Sequence, residues 1–172
     1  MDNPTPFLVR LLEEGRASVA RAVDDLPDAI AAQKPAPDRW SVLECLEHIT
    51  LVEHRFLGFL RAGHATEDAT PDPAKEQRLT AMVHDRSTAL QAPETVVPAG
   101  RFTAVSDALA DFNATRDGTV RLVQERGASL YPLTLAHPRF GDMNGVELMH
   151  LLNGHAVRHV HQIEEVRRQL AS

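Results

Sequence analysis

The sequence predicts an all-α protein: a bundle of four long helices, with an extra short helix in the connection between the second and the third. Two observations carry this. Apolar residues recur at steps of three and four in four separate stretches, the stripe of a helix that buries one face. Between these stretches the text turns to proline, glycine and aspartate, and no segment alternates apolar and polar residues as a half-buried strand would. With 172 residues, 43% of them hydrophobic and 24% charged, the chain has the size and balance of one helical domain spanning residues 1–172.

The first helix is expected over residues 5–25. Phe7, Leu8, Leu11, Leu12, Val19, Ala22, Val23 and Leu26 form its apolar set, and Arg10, Glu13, Glu14 and Arg16 face away. Pro4 and Pro6 stand where a helix start tolerates a missing amide hydrogen. Residues 27–39 read as a loop. Ser41 then caps a second helix, with Glu44 three residues on as its capping-box partner. Val42, Leu43, Leu46, Ile49, Val52, Phe56, Leu57, Phe59 and Leu60 supply the core face, and Gly63 ends it. The short extra helix is expected over residues 75–90, carrying Leu79, Met82 and Val83. Residues 91–101 contain Pro93, Pro98 and Gly100 and cannot form a long helix.

Residues 103–126 predict the third long helix, capped near Thr103 or Ser106, with Val105, Leu109, Phe112, Val120, Leu122 and Val123 inward and Gly127 at its end. Residues 128–143 are a long connection held by Pro132, Pro138 and Gly141. Asn144, with Glu147 three residues later, caps the last helix, which runs to about Leu170.

Composition excludes several classes of function. The net charge is −6 and the basic residues are scattered, so the surface does not attract phosphate backbones and nucleic acid is not an expected partner. No run is long and apolar enough for a membrane span. The N-terminus lacks a basic region followed by an apolar run, so a secretory signal is not expected. Cys45 is the sole cysteine, which forbids an internal disulfide and suits a reducing, cytoplasmic setting.

The chemistry concentrates in the last helix. His155 and His159 are four residues apart and stack on one face, a face otherwise made of Leu148, Leu151, Leu152, Ile163, Val166 and Leu170. Burying imidazoles costs free energy unless their nitrogens find partners, and a metal ion meets that need directly. Two readings stand at this point: a metal site, or hydrogen-bonded core histidines at a partly wet helix edge. A third ligand must come from another helix, and His48 lies beside the apolar stripe of the second. His54, between Glu53 and Arg55, falls on the polar side. His64 and His84 read as surface residues, and His137 as a turn former that can also sit at the rim of a site. His150 and His161 point away from the His155/His159 face and are expected to be exposed or at an interface. Three imidazoles with an open position describe a catalytic ion rather than a structural one, and nitrogen-only ligation suits zinc, nickel, copper or iron. Cys45 can approach the same place or serve as a small core residue. Glu44 and Glu47 can accept from an imidazole N–H, or cap and solvate.

The Trp40-Ser41 start of the second helix, with His48 eight residues after the tryptophan (WSVLECLEHI), resembles the DinB/YfiT-like superfamily. So does HPRFGDMNGVELMHLLNGHAVRHVHQI, with its HP-x-x-G turn and H-x-x-x-H-x-x-Q-I ending. The resemblance implies an up-down-down-up four-helix bundle, often a homodimer, in which His48, His155 and His159 bind a divalent metal, nickel or zinc. It implies a metal-dependent enzyme acting on a small molecule: an S-transferase using a low-molecular-weight thiol, or a hydrolase of a small electrophile. No basic cluster that would hold an acidic thiol is evident; Arg139 and Arg158 can contribute to one or equally well face solvent. The contrasting expectation is a non-catalytic, stress-related dimeric bundle whose metal is structural or adventitious.

Overall fold

The computed structural model describes residues 3–62, 64–65, 71–84, 91–137 and 139–171, without side chains at 62, 64, 65 and 80–84. Four long helices dominate it: α1 (Thr5–Ala22), α3 (Val42–Ala62), α5 (Val105–Arg126) and α6 (Gly145–Leu170). Two short helices, α2 (Asp28–Ala31) and α4 (Pro73–His84), lie in the connections. The expected helix over residues 75–90 is thus α4, which starts two residues earlier; residues 85–90 lie outside the described residues. The α2 turn was not expected in the 27–39 loop.

Contacts between the long helices fix their directions. Arg167 reaches the Ala22 carbonyl at 2.6 Å and Phe7 stacks on His150 at 5.5 Å, so α1 and α6 run parallel. The Thr5 hydroxyl lies 3.5 Å from the Val123 carbonyl, while Arg16 pairs with Asp117 at 2.7 Å, so α5 opposes α1. His48 meets His155, and Arg39, just ahead of α3, pairs with Glu165, so α3 opposes α6. The order is therefore up-down-down-up, with α3 and α5 side by side and parallel.

The helix ends follow local chemistry in part. Asn144 and Glu147 form the expected capping box at the start of α6. Ser41 and Glu44 exchange the same pair of bonds before α3. Neither Thr103 nor Ser106 caps α5; its Val105 amide donates instead to the Asp28 carboxylate of α2 at 2.8 Å. A cap can come from any acceptor in reach, and here the tertiary fold brings one from 77 residues away.

Part of the connection over residues 128–143 is not a plain loop. β2 (Leu133–His137) and β3 (Gly141–Asn144) form an antiparallel hairpin, extended by β1 (His64–Ala65) on the far side of β2. Strands of five and four residues are too short for alternation to stand out in sequence. Leu133 and Met143 still bury one face against the bundle.

The interior has two apolar clusters with a polar belt between them. Leu8, Leu12, Phe56, Leu60, Leu148 and Leu152 belong to the cluster at the hairpin end. Val19, Leu46, Phe112, Val160 and Ile163 belong to the other. Between them, Arg116 of α5 donates to both carboxylate oxygens of Glu53 at 2.8 Å and to the Leu12 carbonyl at 2.7 Å, and Thr119 donates to Glu53 at 2.6 Å. Both ionic side chains have 0% exposure, so Glu53 is a core anion rather than part of a polar face. Asn153 of α6 completes the belt against Gly15, where a Cβ would fall 2.0 Å from its Oδ1. Phe7 and Phe59, placed in the core by periodicity, are 47% and 40% exposed.

Candidate metal centre

His48, His155 and His159 converge. The His48 and His155 Nε2 atoms are 3.1 Å apart, those of His159 and His155 3.2 Å, and one ligand atom from each ring lies within 4.8 Å of the others. The i, i+4 spacing on α6 supplies two rings, and α3, antiparallel beside it, supplies the third. His48 and His159 are buried, and His155 is the least buried residue of the three.

The outward nitrogens are tied down. His48 Nδ1 lies 2.7 Å from the Val96 carbonyl, which can only accept, so this nitrogen carries the hydrogen. His159 Nδ1 lies 2.9 Å from Gln162 Oε1, three residues on, and donates likewise. Both rings therefore turn an Nε2 lone pair towards His155, whose own Nε2 holds at most one proton to share between them. A cation satisfies all three at once. Nitrogens bound at about 2.0–2.1 Å in a tetrahedral zinc site stand about 3.3 Å apart, close to the spacing seen here, so the residues fit such an ion.

Electrostatics favour the neutral rings that ligation requires. Burial lowers the pKa of His48 below its ordinary value, against the Val96 hydrogen bond that raises it. His155 is pushed well below, first by burial, then by repulsion from the protonated forms of His159 and His48 and from Arg158. Trp40 forms a wall, its ring 4.7 Å from that of His48 and 6.1 Å from that of His159.

The other candidates separate from this cluster. Cys45 is fully buried among apolar side chains and is outside the group of three. Glu44 serves the α3 cap and pairs with Lys34 at 2.7 Å. Glu47 binds backbone amides of residues 99–101, not an imidazole, because its side chain leaves the helix on another face from that of His48. His54 is exposed, 3.0 Å from the Thr115 hydroxyl. His137 Nδ1 accepts from the amides of Arg139 and Phe140 and holds the hairpin turn. Arg139 lies over the Phe140 ring, while Arg158 is near enough to His155 to act on its charge. His161 is exposed beside Glu164, as expected. His150 is the correction: it is 7% exposed, packed on Phe7 and 3.7 Å from Glu76, because α4 covers the face of α6 on which it lies. The side chains of His64 and His84 lie outside the description. Trp40 and Gln162 stand in the quoted motifs, yet spacing alone gave neither a role.

Comparison with known proteins agrees with this architecture. An uncharacterised protein of Bacillus subtilis (strain 168), YuaE, is 22% identical over 160 residues, covering 93% of this chain and 97% of that one. The solved structure of YfiT from Bacillus subtilis, described as a probable metal-dependent hydrolase with an unusual four-helix bundle topology, superposes with a TM-score of 0.63 at 14% identity, covering 97% of this chain and 87% of that one. TT2238, a four-helix bundle protein, superposes with a TM-score of 0.61 at 17% identity, covering 94% of this chain and 98% of that one. At these identities the solved structures speak for the fold. The sequence model of the DinB superfamily matches residues 11–163, and the chain belongs to that superfamily.

Proposed function

We propose that the protein is a metal-dependent hydrolase of a small electrophilic substrate, with His48, His155 and His159 as ligands to one divalent ion, nickel or zinc. The observation that carries this reading is the meeting of three imidazole Nε2 atoms, two of them oriented as lone pairs by outward hydrogen bonds. A divalent ion held there supplies Lewis acidity, lowering the pKa of a nucleophile and polarising a carbonyl. Val96 and Gln162 hold two rings in register, Trp40 packs against the His48 and His159 rings, and substrate would approach beside His155, the least buried residue of the three. The description of YfiT as a probable metal-dependent hydrolase supports the choice of reaction.

Metal content by plasma mass spectrometry tests the proposal. The purified protein should take up about one ion per chain, and His155→Ala should bind at least about 10-fold more weakly. Trp40 is the only tryptophan and touches two of the rings, so quenching of its emission by nickel reports site occupancy directly. Equal stoichiometry in wild type and variant, with no quenching in either, sinks the proposal. Activity on an activated ester with and without added thiol separates water from thiol as nucleophile.

A further inference from the structure

The carboxylate of Glu47 is 1% exposed and lies one residue from His48, yet it faces away from the imidazoles. It accepts the backbone amides of Ala99, Gly100 and Arg101, each at 3.0 Å, and the Arg101 Nε at 3.1 Å. Successive amides converging on one anion form a nest, and Gly100 provides the bend with φ of +74°. The Arg101 guanidinium also reaches Asp111 of α5 at 3.1 Å. At its other end the same segment is held by a hydrogen bond from Arg55 to the Thr95 hydroxyl. Between the two anchors lies Val96, whose carbonyl accepts from His48 Nδ1.

We infer that Glu47 is a positioning residue for the metal centre: by clamping residues 99–101 it fixes the Val96 carbonyl, which in turn sets the tautomer and orientation of the His48 ring. The metal consequence rests on the function proposed above; the tautomer consequence does not. Glu47 and His48 thus come from adjacent positions of α3, one building the wall that the other leans on. An anion is required, because three amides and a guanidinium donate to it at once and it has nothing to give back.

Glu47→Gln is the direct test, since its amide would set donors against donors. The variant should bind nickel and zinc about 10–100-fold more weakly in competition with a chromophoric chelator, the range seen when an outer partner of a ligand is lost. In metal-free protein, nitrogen-15 spectra should show His48 passing from a single Nδ1–H tautomer to a mixture, with His159 unchanged. Gly100→Ala disturbs the nest without touching the carboxylate: the space beside Gly100 is open, and only the positive φ resists a side chain. It should move both readouts in the same direction, and Gly100→Asn, which tolerates that conformation better, should restore them. A folded Glu47→Gln protein with native His48 tautomer and native affinity overturns the inference. If Glu47→Gln does not fold, the Gly100 pair decides: equal behaviour of Ala and Asn overturns it. If the wild type binds no metal, the function proposed above fails and the tautomer still decides this one.

Discussion

At the scale of single residues, the centre depends on which nitrogen of each ring carries the hydrogen. Gln162 does for His159 what Val96 does for His48, from one turn along the same helix. Gln162→Leu should therefore weaken metal binding by about 10-fold while leaving α6 intact, as titration and far-ultraviolet circular dichroism would show. The metal-free protein should also respond to acid. His48, His155 and His150 are each held below the ordinary value, mainly by burial. As pH falls past about 6.5 the unfolded chain takes up protons that the folded chain refuses, so stability drops from there down through the lower folded values. Urea midpoints of metal-free protein should decline between about pH 7 and 5; a level midpoint would mean that these rings are solvated. Of the histidine cluster, His155 and His159 were legible because helical periodicity puts them on an apolar face. His48 followed as the histidine beside another such stripe. His150 misled, since one helix's own pattern does not reveal that a second helix will cover its far side.

At the scale of elements, α6 carries the site and its start is set by short-range chemistry. The Asn144 side chain accepts from the Glu147 amide at 2.8 Å, and Glu147 in turn holds Lys75 of α4 at 2.8 Å. Asn144→Ala should cost about 0.5–2 kcal/mol by chemical denaturation, the usual range for a lost N-cap. The start of α5 behaves differently because its acceptor is Asp28. Asp28→Ala should destabilise by a similar amount, about 1 kcal/mol, although no local rule marks it as a cap. Caps made within three or four residues can be read in a sequence; a cap borrowed across the fold cannot. The hairpin escaped for a related reason, since its strands are defined by pairing with each other more than by their own composition.

At the scale of the whole molecule, the Glu53–Arg116 pair ties three of the four long helices together through Leu12, Glu53 and Arg116. Burying two charges costs nearly what their attraction returns, so the pair adds little net stability, but removing one partner strands the other. Arg116→Met should destabilise by about 3–5 kcal/mol, and adding Glu53→Leu should recover much of that loss. A double-mutant cycle followed by thermal denaturation measures the coupling; additive losses would show that the two charges are independently solvated.

The sequence by itself determined the four long helices and the caps of α3 and α6, because a stripe at steps of three and four and a cap three residues away are local facts. It also determined that two imidazoles share one face of α6. Only the tertiary structure decided that α3 lies antiparallel beside α6 and brings His48 to them, that Val96 orients its ring, and that Glu53 and Arg116 meet inside. Those outcomes depend on which faces pack together, and packing is settled among all the elements at once.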